Sequence, residues 1–175
     1  MKFLHSLSLV FILASAAWGQ TAITTDAHCI NPEFDQKVKN TIEFTVPLID
    51  VEELKDIQSE VYIFDTRKKE EYEISHIEGA RYLGYKDFEI TRLNGIPKDA
   101  QIVLYCSIGY RSEKIGEQLQ QQGFTNVYNL YGSIFEWVNR GNKVVDKNGR
   151  PTQKVHTYNW IWGKWVDEKL AEKIW

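Results

Sequence analysis

Apolar and polar positions change rhythm several times along this chain, and each change marks an element. Asp50 precedes Glu53 by three residues, the spacing of a helix N-cap and its reciprocal N3 partner, and predicts a short helix over Val51 to Ile57. Val61-Tyr62-Ile63-Phe64 is an unbroken apolar run that predicts a buried strand ending at Asp65, and Gln101 to Tyr105 is a second, stronger one. From Ser112 to Gln122 the pattern is helical, with Ile115 and Leu119 one turn apart and Gly123 as a stop. Asn126 to Leu130 predicts another strand, and Ile134 to Asn139 a short helix.

Strands separated by helices predict an α/β domain with a mainly parallel central sheet. Ligands of such sheets sit at the carboxyl ends of the strands. Two strand ends carry polar chemistry: Asp65-Thr66-Arg67, and Cys106 onward.

The flanks read differently. Residues 20–40 are polar and predict a loose lead-in. The tail from Gly141 to Trp175 opens with turn formers (Asn142, Asn148-Gly149, Pro151) and then carries Trp160, Trp162, Trp165 and Trp175. Tyr158, Trp160 and Trp162 alternate as on one strand face, and Val166, Leu170 and Ile174 are spaced for one helix face. Two readings of this tail stand side by side: aromatics packed back onto the domain, or a docking surface for a protein partner.

Composition narrows the class. The chain has 175 residues, 43% hydrophobic and 26% charged, which suits one globular domain. Its net charge is −3 and it has no long Lys/Arg run, so no nucleic-acid partner is expected. The first residues have the layout of a secretory signal peptide: Lys2, an apolar stretch from Leu7 to Ala17, then the small-x-small sequence Ala17-Trp18-Gly19. Cleavage is expected before Gln20. The alternative is an uncleaved anchor, for which the apolar stretch is short. No later stretch is apolar enough to cross a membrane, so no stable insertion is expected after cleavage, and the destination is the periplasm or the cell exterior. The resulting layout is a signal peptide over 1–19, a lead-in over 20–40, the α/β domain over 41–145 and a Trp-rich extension over 146–175.

The chain has two cysteines, Cys29 and Cys106. Export implies an oxidising compartment, where a free thiol needs a reason. There is no C-x-x-C, and His28, His76 and His156 are scattered, so no metal or organic cofactor is expected.

Cys106 falls between the end of a strand and the start of a helix, followed by Ser107, Ile108, Gly109, Tyr110, Arg111 and Ser112. Unpaired backbone N–H groups at such a junction point toward the loop, and the helix dipole favours negative charge. That environment lowers a thiol pKa and yields a nucleophilic thiolate. Gly109 permits a tight turn with inward amides, and Arg111 adds a cation.

Cys106 to Ser112 resembles the C-x-x-G-x-R-S active-site loop of the rhodanese family. Upstream, Asp65-Thr66-Arg67, Glu71-Tyr72 and His76-Ile77-Glu78-Gly79-Ala80 resemble that family's D-x-R, E-aromatic and H-I-x-G-A pieces, in the same order. Downstream, Gly123-Phe124, Val127 to Leu130, Gly132-Ser133-Ile134 and Trp137 resemble its last strand and terminal helix. The resemblance covers about Val46 to Val145. It implies a three-layer fold and a sulfurtransferase that moves sulfane sulfur from thiosulfate or a persulfide to a thiol acceptor through a covalent Cys106 persulfide, with the amides of Ser107 to Arg111 binding the anion.

The loop has four residues between Cys106 and Arg111, where related phosphatases have five, and the shorter cradle favours sulfur over phosphate. Its interior lacks the cation of some thiosulfate-using relatives, so thiosulfate is expected to be a weak donor and a persulfide a better one. Ser75 and Ser133 replace family glycines, with little effect expected. Arg111 has two open roles, donor binding and an ion pair with a carboxylate such as Asp65. Asp65 is read as scaffold for the loop, Ser112 as its support and Arg67 as a substrate contact. His76 reads as structural rather than as a base, Glu71 and Tyr72 as helix-surface and packing residues, Trp137 as core. Cys29 is open between a free thiol, a resolving thiol and a disulfide partner of Cys106. Two alternatives to the enzyme remain: a non-catalytic rhodanese-fold binding module, and an envelope thiol-redox protein using Cys106 with Cys29.

Overall fold

The computed structural model describes residues 27–175; the expected signal peptide and the start of the lead-in lie outside them. Nothing in the described part is a helix long and apolar enough to cross a membrane.

Among the described residues five short strands form one parallel sheet: β1 (Leu48–Ile49), β2 (Tyr62–Asp65), β3 (Arg81–Tyr82), β4 (Ile102–Tyr105) and β5 (Val127–Leu130), in the order β1-β5-β4-β2-β3. The α/β, three-layer expectation holds. The period-two geometry of a strand deals its side chains to opposite layers. Ile102 and Leu104 of β4 join Val46, Phe64, Ile115 and Leu119 on one face. Val103 and Tyr105 join Ile63, Ile49, Leu54 and Phe135 on the other. The first face is covered by α4 (Tyr110–Gln121), the second by α1 (Pro32–Lys39), α2 (Val51–Ile57) and α5 (Ser133–Asn139).

The capping box behind α2 is present: the Glu53 amide donates to Asp50 Oδ1 at 2.9 Å, and the Asp50 amide to Glu53 Oε2 at 3.1 Å. The helix after Cys106 starts at Tyr110, two residues earlier than the polar pattern predicted, which brings Arg111 and Ser112 into its first turn. The loose lead-in is corrected over 32–39: Asn31 caps α1 by accepting from the amides of Glu33 and Phe34, Pro32 fits the first turn, and Phe34 and Val38 are buried one turn apart.

The tail is ordered differently from its sequence pattern. Tyr158 is a turn residue with φ of 65°, and Trp160–Gly163 forms a short helix, α6, capped by the Asn159 side chain. Ile174 lies not on a helix but on a strand (Glu172–Ile174) parallel to Lys154–His156. A small antiparallel pair, Val144–Val145 with Pro151–Thr152, links the domain to this unit. The tail packs: Val155, Val166 and Ala171 are buried, Trp165 stacks on Phe34 with ring centroids 5.7 Å apart, and the Asn139 side chain clamps the backbone at Trp165 and Asp167. Trp160 and Trp175 stay exposed.

Candidate active site

β4 ends at Tyr105 and α4 begins at Tyr110, so Cys106 opens a tight loop at the carboxyl end of the central strand. Gly109 turns that loop at φ of 124°, a value that side chains disfavour, and its amide donates to Cys106 Sγ at 3.2 Å. The other side of the loop is fixed by the carbonyl of Gly109, which accepts from Asn129 Nδ2 at 3.0 Å, and by Ser112 Oγ, which donates to Asn129 Oδ1 at 2.7 Å. Ser112 Oγ thus ties the helix start to Gly109 and to Asn129 of β5, a partner the sequence did not indicate.

Burial pushes the Cys106 thiol up, but the Arg111 charge and the amides of Ser112, Gly109 and Ile108 outweigh it and hold the thiol below its ordinary value. Cys106, Ser107, Ile108, Tyr110 and Arg111 line a cleft of about 700 Å³, and Cys106 is buried.

Arg111 is paired with Glu71, not Asp65. Its Nη1 donates to Glu71 Oε2 at 2.8 Å and its Nη2 to Glu71 Oε1 at 3.1 Å and to Ser107 Oγ at 2.9 Å. Glu71, on α3 (Lys69–Ile74), is fully buried rather than a surface residue. Burial alone would raise its pKa, yet the Arg111 guanidinium holds the carboxyl below its ordinary range. The residue was legible as part of a motif, but not its role, because its partner lies forty positions downstream.

Arg67 is corrected from substrate contact to scaffold. It is fully buried, donates through Nε and Nη2 to Asp65 at 3.0 and 2.6 Å, and through Nη2 to the Ser75 carbonyl at 2.6 Å. Asp65 thus holds Arg67 and its own turn, not the amides of the cysteine loop. His76 is structural: its Nδ1 lies 2.9 Å from the Tyr72 carbonyl and its ring stacks on Tyr72. Trp137 is core, with Nε1 donating to the Lys143 carbonyl.

Ser133 does more than a small residue filling a glycine position. It adopts φ of 53°, its Oγ accepts from the Cys106 amide at 3.1 Å and donates to the Leu130 carbonyl at 3.2 Å. The amides of Ile134 and Phe135 donate to the carbonyls of Cys106 and Ser107, so α5 closes on the loop from behind.

Cys29 and Cys106 are both free thiols, and both are buried. Burial, and then the Glu136 and Asp35 carboxylates, push Cys29 far above the ordinary thiol value, a poor setting for a resolving thiol. Iodoacetamide at pH 7 is expected to alkylate Cys106 at least about a hundredfold faster than Cys29. Timed quenching with peptide mass mapping checks this; equal labelling rates in the folded protein would sink it.

A cysteine whose sulfur accepts from a loop amide, at the carboxyl end of a parallel sheet and in the lining of a cleft, defines a cysteine-loop α/β domain. The family model for the Rhodanese-like domain matches residues 50–140. The chain belongs to the Rhodanese-like domain family, a family of sulfurtransferase type.

Among curated relatives, a protein named sulfurtransferase from Allochromatium vinosum is 41% identical over 58 residues, 33% of this chain and 54% of its own. The tRNA uridine(34) hydroxylase of Buchnera aphidicola is 30% identical over 119 residues, 65% of this chain and 36% of its own. The chain spans about a third of the length of the hydroxylases it matches. Among solved structures, the thiosulfate sulfurtransferase of Pseudomonas aeruginosa superposes with TM-score 0.55 at 19% identity, over 68% of this chain and 24% of its own. The Rhodanese-like domain of an Anabaena protein gives 0.53 at 24% identity, over 57% and 79%. These two likenesses carry the fold alone.

Proposed function

We propose that the protein transfers sulfane sulfur through a persulfide on Cys106, after export to the periplasm or the cell exterior. The observation that carries this reading is the Cys106 thiol in the cleft lining, with the Gly109 amide donating to Sγ at 3.2 Å and the Arg111 charge lowering its pKa. The Cys106 thiolate attacks the outer sulfur of the donor. A new S–S bond forms, the donor's own bond to that sulfur breaks, and the electron pair leaves with the remainder of the donor, sulfite where the donor is thiosulfate. The loop amides then face an anionic persulfide sulfur. A thiolate acceptor attacks the outer sulfur and returns Cys106 as thiolate, two-step covalent catalysis with no net redox change.

The buried, high-pKa setting of Cys29 weighs against the redox relay. The tRNA hydroxylation named for the longer relatives is not carried over, because the matched segment is a minor part of them.

The test is the intact mass of the reduced protein after exposure to thiosulfate or to a persulfide donor. Expected is a gain of one sulfur, discharged by cyanide and absent in Cys106→Ser. A gain that persists in Cys106→Ser, or no gain with any donor, would overturn the reading.

A further inference from the structure

The C-terminal extension does not only pack against the domain; two of its aromatic side chains form part of the wall around Cys106. Tyr158 and Trp162 line the same cleft as Cys106, together with Tyr82, Tyr85 and Tyr110. Local chemistry places them there. The strand pairing of Lys154–His156 with Glu172–Ile174 ends in a bond from the Thr157 amide to the Ile174 carbonyl, and the next residue turns at positive φ. The Tyr158 ring then meets Lys68 at the start of α3, with Nζ 5.5 Å from its centroid. Asn159 caps the short helix that carries Trp162, whose ring lies 5.1 Å from Lys37 Nζ on α1.

The shape and charge of this cleft do not suit a small, doubly charged inorganic donor. About 700 Å³ falls within the range of pockets that enclose organic ligands, about 300–1,000 Å³. The positive charge nearest the thiolate is already engaged, since Arg111 forks onto Glu71. The remaining lysines, Lys68, Lys69 and Lys86, stand with the carboxylates Glu70 and Asp87 in the lining, a modest positive surplus. Five aromatic rings and a modest surplus suit a singly charged sulfur anion attached to an apolar or aromatic body.

We infer that Tyr158 and Trp162 are specificity-determining residues that make the Cys106 site select organic sulfane donors, monoanions with an aromatic or apolar body, over thiosulfate. This rests on the sulfurtransferase reading and names its donor class. With an arenethiosulfonate the step balances simply: the Cys106 thiolate bonds to the terminal sulfur, the bond from that sulfur to the sulfonyl group breaks, and the sulfinate departs with the electron pair. Rings of the cleft wall stack on the arene and hold the terminal sulfur over the thiolate.

The test uses the full mature chain with benzenethiosulfonate and with thiosulfate, cyanide being the common acceptor and thiocyanate the product. In this two-step scheme kcat/KM for the donor reports the loading step alone. The expected result is a kcat/KM at least about tenfold higher for benzenethiosulfonate. Tyr158→Asn, which tolerates the left-handed backbone, is expected to lower the ratio of the two constants about two- to twelvefold. Trp162→Leu, which keeps an apolar contact, provides the same reading should the first variant misfold. Trp175→Ser, on an exposed aromatic of the same extension outside the cleft, is expected to leave the ratio unchanged. Loading by both donors with thiosulfate equal or better, or an equal fall of the ratio in Trp175→Ser, overturns the assignment while leaving sulfur transfer intact. Loading by neither donor overturns the sulfurtransferase reading and this inference with it.

Discussion

Arg67→Met is expected to lower the free energy of unfolding by about 3–5 kcal/mol, because it leaves the carboxylate of Asp65 buried without its countercharge. Both side chains are fully buried, and the pair is bonded through Nε and Nη2. The loss of the bond from Nη2 to the Ser75 carbonyl adds an unpaired acceptor in the same place. Charge in that interior is tolerated only while matched, so removing both charges should be far milder than removing one. The double variant Asp65→Asn, Arg67→Met is expected to recover much of the lost stability. Equilibrium urea unfolding of the wild type and the variants checks this; a loss under about 1 kcal/mol in the single variant would contradict the reading. Arg67 makes no part of the cleft wall. Sulfur loading of folded Arg67→Met is accordingly expected to stay within about threefold of wild type, whereas a substrate-contact role predicts a large fall in activity.

Sequence and structure agree where the deciding interactions are local. The capping box of Asp50 and Glu53 closes over three residues, so its helix was readable. The strand over Ile102–Tyr105 is apolar on both faces because both faces are covered, and the run shows that directly. The cysteine loop was readable for the same reason: strand end, glycine and helix start fix where the amides point. Disagreement begins where the partner is distant. Val166, Leu170 and Ile174 have helical spacing, but Ile174 pairs in parallel with His156, a strand that only the fold brings alongside, and Leu170 stays exposed. Alternation over Tyr158, Trp160 and Trp162 gave way to a stronger local signal, the Asn159 cap that starts a helix. Asn31-Pro32 at the start of α1 was the same kind of signal, masked by polar composition around Phe34 and Val38. In the candidate site, the place of Cys106 between strand and helix was legible, and the partners of Glu71, Asn129 and Ser133 were not. A carboxylate, an amide and a hydroxyl each acquire a role through a partner on another element, and spacing along the chain does not encode that partner.

Arg111→Gln is expected to slow sulfur loading of Cys106 by about tenfold or more at pH 7, and to move the pH dependence of the thiol upward. The thiol is the reacting group only as thiolate, so its reactivity rises with pH through the Cys106 pKa and is lost as pH falls below it. In the folded protein burial raises that pKa, and the Arg111 charge with the loop amides brings it below the ordinary 9.0. Removing the charge leaves burial opposed by the amides alone, and the reactive window shifts to higher pH. The same substitution strands Glu71, whose side chain is buried and whose carboxyl Arg111 holds ionised. Glu71 has its pKa held below the ordinary 4.5, so the pair contributes stability at pH above that value and loses it as pH falls through the depressed one. The single variant is therefore expected to be destabilised as well, by about 3–5 kcal/mol. Adding Glu71→Gln separates the two effects. The double variant is expected to recover stability, since no unpaired charge remains, but not the low-pH reactivity, since the thiolate still lacks its cation. Iodoacetamide alkylation rates of Cys106 against pH, measured on all three proteins beside their urea midpoints, check both parts. A double variant with a wild-type alkylation profile would mean that Arg111 acts only by holding the fold, and that the loop amides alone generate the thiolate.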